Sequence, residues 1–220
     1  MTGRDDKLPS VLVLAQDGRT APLRTLDGRT PLSYAAMCGH EGVVKVLLER
    51  GYVNPDSLDK DGRTPVSYSA QMGREGVLKI LLERRDVASD SPDKSGRTPL
   101  SYAAQMGREG VVKMLLERRD VNPDSSDESG RTPLSYAAQR RWEAVVEILL
   151  ERGDVNPNSS DKYGRRPLSY AYNFTRSNAV ETLLLRRGAR IWTPPHKALR
   201  NSDVTQHIAV STTSAQEELD

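Results

Sequence analysis

The stretch GRTPLSYAA at residues 28–36 returns as GRTPVSYSA at 62–70, as GRTPLSYAA at 96–104 and at 130–138, and as GRRPLSYAY at 164–172. Each copy begins 34 residues after the one before it. A fixed period of this length marks a linear array, in which one supersecondary module is stacked on copies of itself and no copy can bury its apolar face alone. Every unit is therefore expected to share one shape, and the reading of one unit serves for all.

Within the second unit, Thr64 before Pro65 reads as a helix N-cap followed by proline at the first helical position, where its missing N–H removes no bond. The helix runs through Val66, Ser69 and Ala70, small enough for a neighbouring helix to approach closely, and ends at Gly73, a residue suited to the left-handed terminal position. A second helix follows at once, with Val77, Leu78, Ile80, Leu81 and Leu82 as a wide apolar face. Glu75 stands four residues before Lys79, as Glu41 does before Lys45 and Glu109 before Lys113, the favourable order for an exposed ion pair. The stretch RDVASDSPDKSG, rich in Asp, Ser and Pro, makes the return loop.

These residues resemble the ankyrin repeat, whose signature near the start of its first helix is T-P-L-H-x-A. GHEGVVKVLLERG from Gly39 and the VNP segments at Val53, Val121 and Val155 extend the likeness over residues 25–192. The resemblance implies an all-α solenoid of stacked helix-turn-helix units with hairpin-like loops. Tetratricopeptide repeats share the period but open on W-x-x-L-G and place proline at the end of the unit, which this chain does not. One departure recurs: Ser33, Ser67, Ser101, Ser135 and Ser169 replace the family histidine, each followed by a tyrosine, Tyr34, Tyr68, Tyr102, Tyr136 or Tyr170. This variant resembles repeats abundant in filamentous-fungal proteins, and the hydroxyls are expected to take over part of the histidine's hydrogen bonding.

The units are expected at 27–60, 61–94, 95–128, 129–162 and 163–192. An array needs polar-faced ends. Residues 1–26 read as an N-terminal cap, because Leu8 to Asp17 resembles the second helix of a degenerate repeat, and TPPHKA from Thr193 reads as a half-repeat cap over 193–200. The polar, weakly periodic residues 201–220 read as a mobile tail. With its initiating methionine and both caps, the chain reads as a complete small protein.

Charge and composition narrow the function. Of 220 residues, 32 are Lys or Arg and 30 are Asp or Glu, leaving a net charge of +2, too small to drive nonspecific binding to nucleic acid. Cys38 is the only cysteine, so packing rather than an intrachain disulfide must supply stability, as suits a reducing compartment. There is no secretory signal, and no apolar run approaches the roughly 20 residues that span a bilayer. Cytosol or nucleus is the expected location. His40, His196, His207 and Cys38 form no metal-binding spacing, no serine stands apart from its repeat equivalents as an activated nucleophile would, and the glycines match no phosphate loop. No cofactor, metal or catalytic residue is expected.

Function then lies on the surface. The resemblance to ankyrins implies a concave face made of loop tips and first helices, with a protein as partner and the chain acting as a monomeric scaffold, adaptor or inhibitor. A transcription coregulator working through a DNA-binding protein, for example at a biosynthetic gene cluster, is the rival role. Along the face Arg29, Arg63, Arg97, Arg131 and Arg165 form a ladder that could grip an acidic peptide through charge-assisted bonds. Pairing with Asp59, Asp93, Asp127 and Asp161 between neighbouring loops is the favoured structural reading of that ladder. Met72 and Met106 offer an adaptable apolar stripe. Units four and five break the repeat and introduce Arg140, Arg141, Trp142, Tyr163 and Phe174, of types that dominate binding hot spots. The partner-binding set expected is thus Arg63, Met72, Arg97, Met106, Arg131, Arg140, Trp142, Tyr163, Arg165 and Phe174.

Overall fold

A computed structural model describes residues 24–49, 53–172 and 179–190. Phe174, both expected caps beyond Arg24 and the expected tail lie outside the described residues. Among the described residues five helix pairs follow one another. The inner helices are α1 (Pro31–Cys38), α3 (Pro65–Met72), α5 (Pro99–Gln105), α7 (Pro133–Arg140) and α9 (Pro167–Ala171). The outer helices are α2 (Glu41–Glu49), α4 (Glu75–Leu82), α6 (Glu109–Leu116), α8 (Glu143–Glu151) and α10 (Ala179–Arg186). Inner helices pack on inner helices and outer on outer along the stack, and no strand occurs among the described residues.

Each inner helix begins as its residues dictate. Thr64 lies extended, its hydroxyl accepts from the Ser67 N–H at 3.1 Å, and Ser67 Oγ accepts from the Thr64 N–H at 3.4 Å. Thr30 and Ser33 pair in the same way, whereas Thr98 and Thr132 accept from the Ser101 and Ser135 N–H groups with the two hydroxyls 3.3 and 3.2 Å apart. In the first two units the serine that replaces the family histidine is therefore the return half of a capping pair. At the fifth unit Arg166, which has no acceptor to offer, stands at the cap. Of the pair only the Arg166 N–H donating to Ser169 Oγ at 3.2 Å remains, and α9 is the shortest helix described.

The core runs unbroken along the stack. Leu32, Val66, Leu100, Leu134 and Leu168 occupy one position of the inner helices with no exposure, and Leu81, Leu115 and Leu149 do the same on the outer ones. Each such side chain contributes about 1.5–3 kcal/mol. The alanines that follow, such as Ala103 and Ala104, are also fully buried.

Joints between units carry a repeated set of polar stitches. Backbone bonds join successive loop tips, Lys60 N–H to Asp27 O at 2.9 Å, Lys94 to Asp61 at 2.8 Å, Glu128 to Ser95 at 2.8 Å and Lys162 to Ser129 at 2.9 Å. The tips sit so close that a Cβ on Gly62 would lie 2.9 Å from Lys94 N, and Gly28, Gly96 and Gly130 are crowded by the next tip in the same way. Asp56, Asp90 and Asp124 accept from the N–H groups of Ala88, Asn122 and Asn156 one loop on. Arg118, Arg152 and Arg187 donate to Leu82 O, Leu116 O and Leu150 O, placing a cation at the C-terminal end of the preceding outer helix.

The expected ion pairs Glu41–Lys45, Glu75–Lys79 and Glu109–Lys113 do not form. Glu41 and Glu75 reach instead to the next unit, where their carboxylates lie against Gly76 and Gly110 in the first turn of α4 and α6. A helix N-terminus attracts a carboxylate, and the missing side chain of glycine leaves it room.

Gly39, Gly73 and Gly107 end the turn between the paired helices in the left-handed region, and Arg141 takes the same conformation at φ 56° and ψ 37°. It is the one non-glycine residue at positive φ among those described. A side chain there costs about 1 kcal/mol or more. Arg141→Gly is accordingly expected to raise stability by roughly 1 kcal/mol, less the added flexibility of the unfolded chain. A melting temperature no higher than that of the unmodified protein would mean that the arginine's own contacts offset the strain.

Candidate functional site

The arginine ladder is built from the loop aspartates. Asp127 Oδ1 accepts from the N–H groups of Ser129 at 2.8 Å and Arg131 at 2.9 Å, which fixes the carboxylate inside its own loop. Oδ2 then receives the Tyr136 hydroxyl at 2.5 Å and faces Arg131 Nε at 3.5 Å. Asp59 repeats this with Tyr68 at 2.5 Å and Arg63 at 3.3 Å, and Asp161 with Tyr170 at 2.6 Å and Arg165 at 2.8 Å. Arginine and aspartate therefore pair within one loop, not between neighbouring loops as the sequence suggested. The chelation of Oδ1 by its own backbone is the reason. Asp93 binds Tyr102 at 2.5 Å, but Arg97 turns to Gln105, its Nη2 donating to Oε1 at 2.5 Å.

Neighbouring units are linked through the rings. The Arg97 guanidinium lies 4.1 Å from the Tyr102 ring centre and 4.8 Å from that of Tyr136 in the next unit. Arg29 likewise spans Tyr34 and Tyr68 at 5.7 and 5.1 Å, and its Nε donates to the Tyr68 hydroxyl at 2.7 Å. Arg63 and Arg131 cover Tyr68 and Tyr136 at 4.9 and 4.6 Å. Such contacts are worth about 0.5–2 kcal/mol each. The tyrosines thus take up hydrogen bonding at the loop, and the arginines are held flat along the face.

Electrostatics follow from this packing. Burial, together with the bond to Asp59, pushes the Tyr68 hydroxyl up to about 12, and Tyr136 rises to about 12 through burial and Asp127. Burial and Asp93 raise Tyr102 further, as burial and Asp161 do Tyr170. Burial alone would raise Asp59 and Asp161, yet the tyrosine hydroxyls, backbone N–H groups and arginines outweigh it and both end below the ordinary carboxylate range.

A family model for ankyrin repeats, in three copies, matches residues 5–91, 53–127 and 119–195. The chain belongs to the ankyrin-repeat family. Ankyrin repeats generally mediate protein–protein interactions. Comparison with curated proteins finds no match. Among the described residues of this ankyrin array, no helix is long and apolar enough to cross a membrane and no three His, Cys, Asp or Glu side chains converge as metal ligands.

On this array the divergent residues fall into two kinds. Trp142 stands where earlier units have Arg74 and Arg108. Arg74 Nε donates to Met37 O at 3.1 Å and Arg108 Nε to Gln71 O at 3.4 Å, each side chain lying over the preceding turn glycine. Trp142 Nε1 donates to Gln105 O at 3.0 Å, and its ring covers Gly107. The tryptophan thus keeps the arginine's stitch and adds an aromatic face, 44% exposed, beside Met106, itself 37% exposed. Met72 is half-buried, Arg140 is exposed, and Tyr163 on its loop tip is 71% exposed with its ring 4.9 Å from the Arg165 guanidinium. The residues at 74, 108 and 142 share one place in the period, a signal present in the sequence, but only the geometry shows what they do.

Proposed function

We propose that this ankyrin array is a non-catalytic interaction module that binds a protein partner along its concave face, with Met106, Arg140, Trp142 and Tyr163 as the anchors. The arginines 63, 97, 131 and 165 form the polar floor between them. The reading rests on one observation. At the turn before α8, Trp142 has replaced an arginine without loss of the structural bond and presents an exposed aromatic face, and Tyr163 exposes a second ring on the fifth loop tip. The arginines themselves are largely neutralised within their loops, so they supply orientation and hydrogen bonds rather than a strong field. Large, rigid aromatics beside arginine are the groups that carry most binding energy in protein interfaces.

The substitution Trp142→Arg tests this. Arg74 and Arg108 show that arginine fits the position, so the variant is expected to melt as the unmodified protein does. Affinity for a partner isolated with the full-length protein is expected to fall by roughly 2 kcal/mol, about thirtyfold. Trp142→Ala should lose both affinity and, by about 1 kcal/mol, stability, since it removes a hydrogen bond and a half-covered ring. Undiminished affinity in Trp142→Arg would move the partner off this turn.

A further inference from the structure

We propose that Ser91 is the acceptor of a proline-directed protein kinase, and that phosphorylation there loosens the joint between units two and three. Ser91, Pro92, Asp93 and Lys94 set a hydroxyl before a proline, with a cation three residues on. Proline has no N–H, so a kinase groove that offers that group no acceptor selects it over residues that would bury an unpaired donor. The cation adds a charge contact for an acidic patch on the kinase.

Hydroxyls before proline recur along the chain, and the structure separates them. Thr30, Thr64, Thr98 and Thr132 also precede a proline, but they are at most 2% exposed and their hydroxyls cap the inner helices. Ser91 lies on the return loop, outside any helix, with Pro92 and Lys94 exposed. The cause is local. Asn54, Asn122 and Asn156 close the turn in their units, each Oδ1 accepting from the N–H two residues on, at 2.9, 3.0 and 2.9 Å. The next serines are tied back, Ser57, Ser125 and Ser159 donating their N–H groups to the asparagine carbonyls and Ser57 its hydroxyl as well. Unit two has Ala88 in the asparagine's place. Without that acceptor the turn relaxes, and the Ser91 hydroxyl reaches solvent with no partner among the described residues.

The reaction moves the γ-phosphoryl of ATP to Ser91 Oγ and the hydroxyl proton to the kinase's base, and releases ADP. It places about −1.5 to −2 of charge beside Asp90. Asp90 Oδ2 holds the Asn122 N–H of unit three at 3.0 Å, while its Oδ1 is buried without a partner. Burial and, after it, Asp120 already push this carboxyl up. Arg118, which bonds Ser89 on the same loop, is engaged by Asp120 and Leu82 O. The new charge therefore stands next to a carboxylate whose ionised form the site already disfavours, and the stitch to unit three gives way.

Incubating the full-length chain with a proline-directed kinase of the cyclin-dependent class, ATP and Mg2+, and mapping the product by mass spectrometry, tests this. A phosphoryl is expected on Ser91, and none on the four capping threonines while the chain stays folded. Ser91→Ala should abolish that labelling, and Pro92→Ala should slow it at least about tenfold, because alanine restores the N–H. Hydrogen exchange at Asn122 is expected to quicken at least about tenfold in the phosphorylated chain, with Asn156, which makes the same bond to Asp124, unchanged. Ser91 left unlabelled, or labelled no faster than the threonines, overturns the proposal. So does labelling of Ser91 that leaves exchange at Asn122 as it was.

Discussion

Replacing Asp127 by alanine is expected to cost the array about 3 kcal/mol or more. That one carboxylate accepts from two backbone N–H groups and the Tyr136 hydroxyl and faces Arg131, and it is nearly fully buried. Alanine leaves all of these donors without their acceptor in a site that water reaches poorly, and removing one partner of a buried charged cluster is among the more damaging single changes. Asp127→Asn separates the contributions. Its carbonyl still accepts from the Ser129 and Arg131 N–H groups, and its amide donates to the tyrosine oxygen, so it is expected to cost roughly 1 kcal/mol, the charge pairing alone. Urea unfolding followed by circular dichroism measures both. The Asp127 loop lies mid-array, bonded to the tips before and after it, so its loss weakens two joints. Equal, small losses for both variants would show that the loop holds its shape through the backbone bonds alone.

A second large effect is expected in alkali. The folded values of Tyr68 and Tyr136 are raised to about 12, and those of Tyr102 and Tyr170 are raised too, from an ordinary value near 10. Below about pH 10 neither the folded nor the unfolded chain has released these protons, and their contribution is fully present. Between about 10 and 12 the unfolded chain ionises while the fold still holds its protons, so stability falls as pH rises. The unfolding midpoint in urea is therefore expected to drop steeply across that window, with phenolate absorbance following unfolding rather than preceding it. Tyr136→Phe should flatten the dependence while lowering stability at neutral pH. Phenolate absorbance at ordinary tyrosine values in the intact fold would refute the coupling. The acid side lacks such a common direction. Asp59 and Asp161 are lowered and lose stability as pH falls, whereas burial raises Asp56, Asp90 and Asp124, which oppose them.

The repeat made the architecture legible. Threonine before proline marked the start of the first four inner helices, and the glycine nine residues on marked the end of the first three, because both positions are dictated by local backbone chemistry. Arg141 could be recognised as strained from its place in the period alone. Relations between units were harder to read. The Glu75–Lys79 spacing described a lone helix correctly, but the carboxylate finds a better site on the next helix's first turn, which no single-helix rule contains. The aspartate–arginine partners were read, yet their loop was not, since chelation of Oδ1 by the backbone is a three-dimensional constraint. Trp142 was singled out as unusual, while its equivalence to Arg74 and Arg108 became meaningful only once those side chains were seen over the turn glycines.

The stitched joints have a mechanical meaning. Drawn out from its two ends, the stack behaves as a series of similar links, each held by the same tip-to-tip bond and, from the second joint onward, by the same arginine clasp on a helix end. Links of equal strength do not part together. They part singly, beginning at a free end, and the fifth link is the softest because Arg166 has taken the place of the threonine that pins the others. Every 34-residue link that opens pays out up to about 110–120 Å of chain. A partner seated across units three to five would span that soft end and stiffen it, so occupancy of the concave face and resistance to stretching would rise together.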